Sequence, residues 1–402
     1  MQDINHKIFI KYPRQISLWG RDFPSPQGLP IVGFIKLTYF FDEKVLQFFP
    51  ALVRDIDTCF LEVVKRWFIC PSKFDHTKCY KMHREVLDLT IQSLVNSNDL
   101  SWLLLSPKID YDKSGVVKYD NVAFQYWTFE VANGELLRTI KLKMTEIRKE
   151  PFSDTIYELY RLLIVFLSRF HYFGSHLKAR KYFDLIGLNC PSLRKYYLAR
   201  LNNIKECLEK LSVFGKFNNQ QLDSAIRLAG YFSNQLNNIV MPQENISMVH
   251  GDYREDNIII QTQERKIHLI DFDQGFFGGD WMVDLWKFGL LSNKKENSDK
   301  ILSHNNRLKL IQEYFCDRAF IGDDSYDQLF KMIVKKDPFI RKRINLLYYD
   351  LLTSLLVLRS LMGWYFREKI DSSGRKLKGV YYILDLINAL ETTLEIDIKG
   401  FN

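Results

Sequence analysis

The sequence predicts an α+β protein in two lobes: a small β-rich N-terminal lobe over residues 1–131 and a large, mostly helical C-terminal lobe over 132–402. Three observations carry this. Strand-like runs concentrate before residue 131. Apolar residues recur at intervals of three and four through long stretches after residue 155. Between those stretches stands one isolated strand–turn–strand, Val249 to Asp273. A chain of 402 residues fits two domains or one large bilobal unit, and 47% hydrophobic content with 14% aromatics can fill sizeable cores.

In the N-terminal lobe, Cys59 to Trp67 (C-F-L-E-V-V-K-R-W) reads as a strand with Lys65 near its end. Val86, Leu87, Leu89 and Leu94 have helical spacing, with Glu85 at the start of that helix. Pro107 to Asp112 and Val116 to Tyr119 flank Lys113-Ser114-Gly115, which reads as a hairpin turn. The strand-like run Val122 to Val131 leads into Ala132-Asn133-Gly134-Glu135, small and turn-forming residues suited to a hinge, so the lobes divide near residue 132.

The C-terminal lobe is helical. Leu159, Leu162, Leu163, Phe166, Leu167 and Phe170 mark a long amphipathic helix over Thr155 to Phe173. A helical insert of about 174–240 follows, with patterns over Leu193–Leu211 and Leu222–Ile239 broken by polar, turn-forming segments. The tail from Lys300 to Ile398 is again helical, and insert and tail together are expected to wall an acceptor pocket.

The chemistry is concentrated in the isolated hairpin. It reads V-H-G-D-Y-R-E-D-N-I-I-I, a polar turn, then K-I-H-L-I-D-F-D. Ile258 to Ile260 and Ile267 to Ile270 are the two strands, with the turn inside Gln261 to Lys266. Asp252, Asn257 five residues later and Asp271 fourteen beyond that match the spacing of base and metal ligands in phosphoryl transfer. A hydroxyl attacking a γ-phosphate needs a carboxylate to orient it and take its proton, the role expected of Asp252. A polyphosphate needs Mg²⁺, a hard cation that prefers oxygen ligands, and Asn257 and Asp271 supply them. Arg254, two residues after the base, can steady the moving phosphoryl group. His250 is expected to prop the loop rather than to act as a base.

These residues resemble the catalytic-loop motif of the aminoglycoside phosphotransferase and choline kinase-like family, which is similar in fold to eukaryotic protein kinases. The resemblance covers residues 249–289. It places the family's loop motif on His250, Gly251, Asp252 and Asn257, its metal-binding acid on Asp271, and a loop-supporting acid on Asp284 within G-G-D-W-M-V-D-L-W. Locally, Asp280 also suits an N-cap for a helix starting at Trp281. The resemblance implies a bilobal protein-kinase-like fold that binds ATP, or another NTP, with Mg²⁺. It implies a Lys65–Glu85 ion pair gripping the α/β-phosphates, with Lys73 and Lys78 as rival lysines. Backbone groups around Glu130 to Ala132 would meet the adenine edge, and Asp273 would face the acceptor. No G-x-G-x-x-G precedes Lys65, which leaves Arg54 to Thr58 as the candidate phosphate loop.

The expected activity is transfer of the γ-phosphate to a hydroxyl of a small metabolite or antibiotic. Two alternatives stay open: a protein or peptide kinase, disfavoured because Asp273 to Asp280 is short and no A-P-E follows, and a catalytically silent nucleotide-binding scaffold. Residues 285–402 carry 20 Lys+Arg against 15 Asp+Glu, which disfavours a polycationic aminoglycoside as acceptor. The net charge of +8 is dispersed, so no nucleic-acid partner is expected. The apolar stretch Leu346 to Phe366 is interrupted by Asp350 and Arg359, as in a core helix, so no membrane insertion is expected. Six scattered cysteines and an N-terminus lacking a basic-then-apolar leader pattern favour a cytoplasmic protein. Cys70, His76, Cys79 and His83 depart from the paired spacing of a zinc site.

Overall fold

A computed structural model describes residues 37–41, 44–50, 76–96, 102–119, 122–130, 132–148, 154–176, 192–213, 219–270, 279–291, 303–322, 327–365 and 375–399. Two four-stranded sheets are present among them. The first contains β1 (Leu37–Phe41), β2 (Lys44–Pro50), β4 (Ile109–Tyr119) and β5 (Val122–Glu130), in the antiparallel order β1-β2-β5-β4. Lys113-Ser114-Gly115 does not form the expected hairpin turn. It lies inside β4, where the register slips between Asp110, opposite Thr128, and Gly115, opposite Tyr126. A bulge and a turn draw on the same polar and glycine residues, and the ladder resumes to pair Tyr119 with Val122.

Beyond β5 the chain leaves the first sheet and enters the second. Ala132 is half-buried and leads through Gly134 to β6 (Glu135–Leu136). Gly134 has φ +128°, and a Cβ there would lie 2.5 Å from the Ile260 carbonyl oxygen, so the close approach of β6 requires glycine. The second sheet runs β3 (Leu103–Leu105), β8 (Lys266–Leu269), β7 (Ile258–Gln261), β6, with only the β3–β8 pair parallel. The β7–β8 hairpin is therefore held on both edges, and its inward residues Ile258, Ile260, Ile267 and Leu269 are buried.

Of the helices, α1 (His76–Asn96) begins nine residues before Glu85, so that residue sits mid-helix rather than at the start, and it is exposed. Helix α2 (Leu137–Arg148) follows β6 directly. Helix α3 (Asp154–His176) is the centre of the core: Leu159, Tyr160 and the run Leu162 to Leu167 are all buried, as in a helix covered on every side. Helices α4 (Leu193–Val213) and α5 (Asn219–Gln235) pair with each other. They pack on α9 (Pro338–Tyr365) and α10 (Arg375–Lys399). Helix α7 (His304–Phe320) lies on α3, joined by the buried Arg169–Asp317 pair at 2.9 Å. Arg169 also donates to the Ser93 carbonyl of α1 at 2.7 Å, tying three helices together. Helix α8 (Asp327–Val334) connects α7 to α9. No helix among the described residues is long and apolar enough to cross a membrane.

Candidate active site

The site is built on the segment His250 to Asn257 that enters β7. Gly251 has φ +79°, a conformation glycine adopts without strain, and it turns the chain so that Asp252 leaves the core pointing at the loop's own later residues. Residues 255–257 form a single 3₁₀ turn, closed by the Asn257 N–H on the Arg254 carbonyl at 2.8 Å. That turn brings Asn257 back onto Asp252. Its Nδ2 donates to the Asp252 carbonyl at 2.8 Å and to Asp252 Oδ2 at 3.0 Å. The Asn257 backbone carbonyl accepts from the Ile270 N–H at 3.0 Å. His250 Nε2 bonds the Ile270 carbonyl at 3.0 Å, so the residue preceding Asp271 is held from both sides by the loop.

Three side chains meet the Asp252 carboxylate, which is itself only 6% exposed. Asn257 and Arg254 Nε, the latter at 3.1 Å, take Oδ2. Lys287 Nζ donates to Oδ1 at 2.9 Å. Lys287 ends α6 (Met282–Lys287) and was not among the residues expected from sequence. It lies three residues after Asp284, hence on the same helix face, which is the one signal that points to it.

Asp284 is fully buried, and its carboxylate holds the loop by the backbone. Oδ2 accepts from the His250 N–H at 2.7 Å, and Oδ1 from the Gly251 N–H at 2.8 Å. His171 Nε2, on α3, meets Oδ2 at 3.0 Å, and His171 Nδ1 meets the Tyr314 hydroxyl at 2.9 Å. Burial lowers the His171 pKa, so the ring is neutral, donates from Nε2 to Asp284 and accepts from Tyr314. Burial alone would raise the Asp284 pKa, but the hydrogen bonds from His171 and the His250 N–H outweigh it and hold the carboxyl below its usual value.

Asp280, four residues earlier, is buried as well. It accepts from the Met282 N–H at 2.9 Å, capping α6. It also pairs with the fully buried Arg343 of α9 at 2.9 Å and accepts from the Tyr197 hydroxyl of α4 at 2.9 Å. Arg343 grips Glu244 as well, at 2.6 Å, and Trp281 stacks on Tyr314 beside it. Insert and tail thus converge on the segment that props the His250–Asn257 loop. Trp281 and Tyr349 are core residues, buried against Tyr314 and Phe232. Lys141 of α2 pairs with Glu255 at 2.6 Å, and the Tyr160 hydroxyl of α3 donates to the same carboxylate. Arg138 pairs with Asp256 at 3.3 Å.

The structure therefore brings together His250, Asp252, Arg254, Asn257 and Asp284. Asp271, Asp273 and Lys65 lie outside the described residues, as do the Lys65–Glu85 pair, the candidate phosphate loop at 54–58 and Cys70. Glu130 ends β5 opposite Lys44, and its side chain is not described. Asn257 suits a hard cation. Its Nδ2 is committed to Asp252, and its amide oxygen takes no hydrogen bond among the described residues, leaving one oxygen donor beside the Asp252 carboxylate.

No protein-family model matches the chain, and no curated protein is similar to it in sequence. Solved structures do resemble it. A Plasmodium vivax ethanolamine kinase covers 97% of this chain and 97% of its own, with a TM-score of 0.45 and 13% identity. The ternary complex of streptomycin, ATP and APH(2″)-IIa covers 91% of this chain and 99% of its own, with a TM-score of 0.38 and 12% identity. Spectinomycin phosphotransferase APH(9)-Ia, in complex with ADP and spectinomycin, covers 90% and 92%, with a TM-score of 0.38 and 12% identity. These neighbours are small-molecule kinases of the group that residues 249–289 resemble.

Proposed function

We propose that the protein is an O-phosphotransferase that moves the γ-phosphate of ATP, or another NTP, to a hydroxyl of a small molecule. One observation carries the reading: a nearly buried carboxylate, Asp252, is locked by Asn257 and flanked by two cations, on a loop whose backbone is clamped by Asp284. Asp280 and Asp284 are as well supported but their partners are buried with them, whereas Asp252 is held beside the half-exposed Arg254, at the edge of the core, where a hydroxyl can meet the carboxylate at a fixed angle.

In the proposed reaction, Asp252 orients the acceptor hydroxyl and takes its proton. The acceptor oxygen forms a bond to the γ-phosphorus while the bond to the β,γ-bridging oxygen breaks, and the leaving nucleoside diphosphate keeps that electron pair. Asn257 and, by its place after Ile270, Asp271 would hold Mg²⁺. When bound, the cation supplies charge neutralisation for the polyphosphate. Arg254 stands on the exposed side of Asp252, where it can meet an incoming phosphate. Residues 1–131 would bind the nucleotide, with Lys65 and Glu85 as the phosphate-gripping pair, Glu130 and Ala132 at the base and Asp273 toward the acceptor.

The test is incubation with ATP and Mg²⁺ against a library of hydroxylated metabolites and antibiotics, read by mass spectrometry for a phosphate-shifted product, with Asp252→Asn as control. A product that requires Asp252 supports the reading. Phosphate appearing instead on polypeptides would replace it with protein phosphorylation, and nucleotide binding without any transfer would replace it with a scaffold.

A further inference from the structure

We propose that Lys287 is a catalytic cation that contacts the transferring phosphoryl group from the Oδ1 side of Asp252, an inference that rests on the phosphotransferase reading above. The two oxygens of Asp252 are not equivalent. Oδ2 is fixed by the Asn257 amide at 3.0 Å and Arg254 Nε at 3.1 Å. Oδ1 meets only Lys287 Nζ, at 2.9 Å, among the described residues. An acceptor hydroxyl therefore finds its free lone pair on Oδ1, beside the Lys287 ammonium. A hydrogen-bonded hydroxyl sits about 2.7 Å from a carboxylate oxygen, and the phosphorus it attacks lies roughly 3–3.5 Å further. Those distances bring the equatorial phosphoryl oxygens within the sweep of a lysine that has two N–H donors not used by any described residue.

The local architecture favours this over a resting ion pair. Lys287 is delivered by the helix that carries Asp284, three residues away, so the residue that clamps the loop backbone and the one that touches its carboxylate share one short rigid element. Its side chain is 16% exposed, against 49% for Arg254, so the Lys287 charge is the better shielded of the two and the stronger electrostatically. In the step itself Lys287 stays protonated. The acceptor proton goes to Asp252, the new oxygen–phosphorus bond forms as the bridging bond breaks, and the ammonium balances charge on the three equatorial oxygens.

The experiment needs no acceptor. MgADP affinity is measured with and without fluoroaluminate, which mimics the transferring phosphoryl group, for the wild type, Lys287→Met and Lys287→Gln. The wild type is expected to hold MgADP at least about tenfold more tightly with fluoroaluminate. Lys287→Met should lose most of that gain while its affinity for MgADP alone stays within about threefold, which also shows that the variant is folded. Lys287→Gln keeps a donor for Asp252 but removes the charge, and it should lose the gain as well. Retention of the gain in either variant overturns the inference and leaves Lys287 a structural partner of Asp252. A wild type that binds MgADP but gains nothing from fluoroaluminate overturns it too. A wild type that binds no MgADP fails the phosphotransferase reading itself.

Discussion

The carboxylate of Asp284 accepts the backbone N–H of His250 at 2.7 Å, so the turn carrying Asp252 is fixed through its peptide groups as well as through the partners of the Asp252 side chain. The two sets of contacts are separate, Asp284 on the backbone and Asn257, Arg254 and Lys287 on the carboxylate. Replacing Asp284 by Ala would leave the His250 and Gly251 N–H groups and the His171 ring without a buried acceptor. The expected cost is about 3–5 kcal/mol, measurable by denaturant unfolding, with loss of activity in whatever fraction remains folded.

The same cluster sets a pH dependence. His171 is held neutral by burial, with its pKa below the ordinary 6.5. The unfolded chain therefore takes up a proton that the folded one refuses as pH falls through 6.5, and stability declines. Asp284, lowered in the folded state, adds a second loss as pH falls through its usual unfolded value of about 4. The melting temperature should fall from pH 7 toward pH 4, and His171→Gln should flatten the part of that slope just below pH 6.5.

Asn257 has two tasks, one toward Asp252 and one, in the proposed reaction, toward Mg²⁺. Asn257→Ala should raise the Mg²⁺ concentration needed for half-maximal transfer by about tenfold or more and lower the maximal rate as well. Chelation of divalent ions should abolish transfer in the wild type. A variant whose Mg²⁺ dependence is unchanged would remove Asn257 from the metal site.

Gly134 joins the two sheets at a point where no side chain fits. Gly134→Ala would set a Cβ against the Ile260 carbonyl oxygen at a φ of +128°. The expected destabilisation is about 2–4 kcal/mol, and because Ile260 belongs to the hairpin that follows Asn257, the proposed activity at moderate temperature should fall along with the melting point.

The β7–β8 hairpin was legible because its evidence is local. Alternating apolar runs around a polar turn define Ile258–Gln261 and Lys266–Leu269, each within one residue of the strands expected. The long helix over 154–176 was legible for the same reason, a sustained apolar period. Lys113-Ser114-Gly115 misled because a β-bulge and a hairpin turn use the same residues, and only the partner strand tells them apart. Glu85 reads as a helix start because the strong aliphatic repeat begins at Val86, although the helix runs back to His76 through a mostly polar first half with a weaker apolar pattern, Cys79 and Met82. Lys287 escaped because its partner lies 35 residues upstream, and a lysine on a six-residue helix has no pattern of its own. The buried Arg343 bridge between Glu244 and Asp280 joins residues 99 and 63 apart, a meeting that only the folded chain creates.

The measurement that tests the central claim most directly is the initial rate of label transfer from γ-³²P-ATP into a pool of hydroxylated small molecules. It compares the wild type with Asp252→Asn at matched nucleotide saturation. Label should enter the pool with the wild type, and the rate should fall by about 10²–10⁴ in the variant while ATP affinity stays unchanged. Transfer that survives Asp252→Asn undiminished, or nucleotide binding with no transfer from the wild type, would contradict an Asp252-centred phosphotransferase.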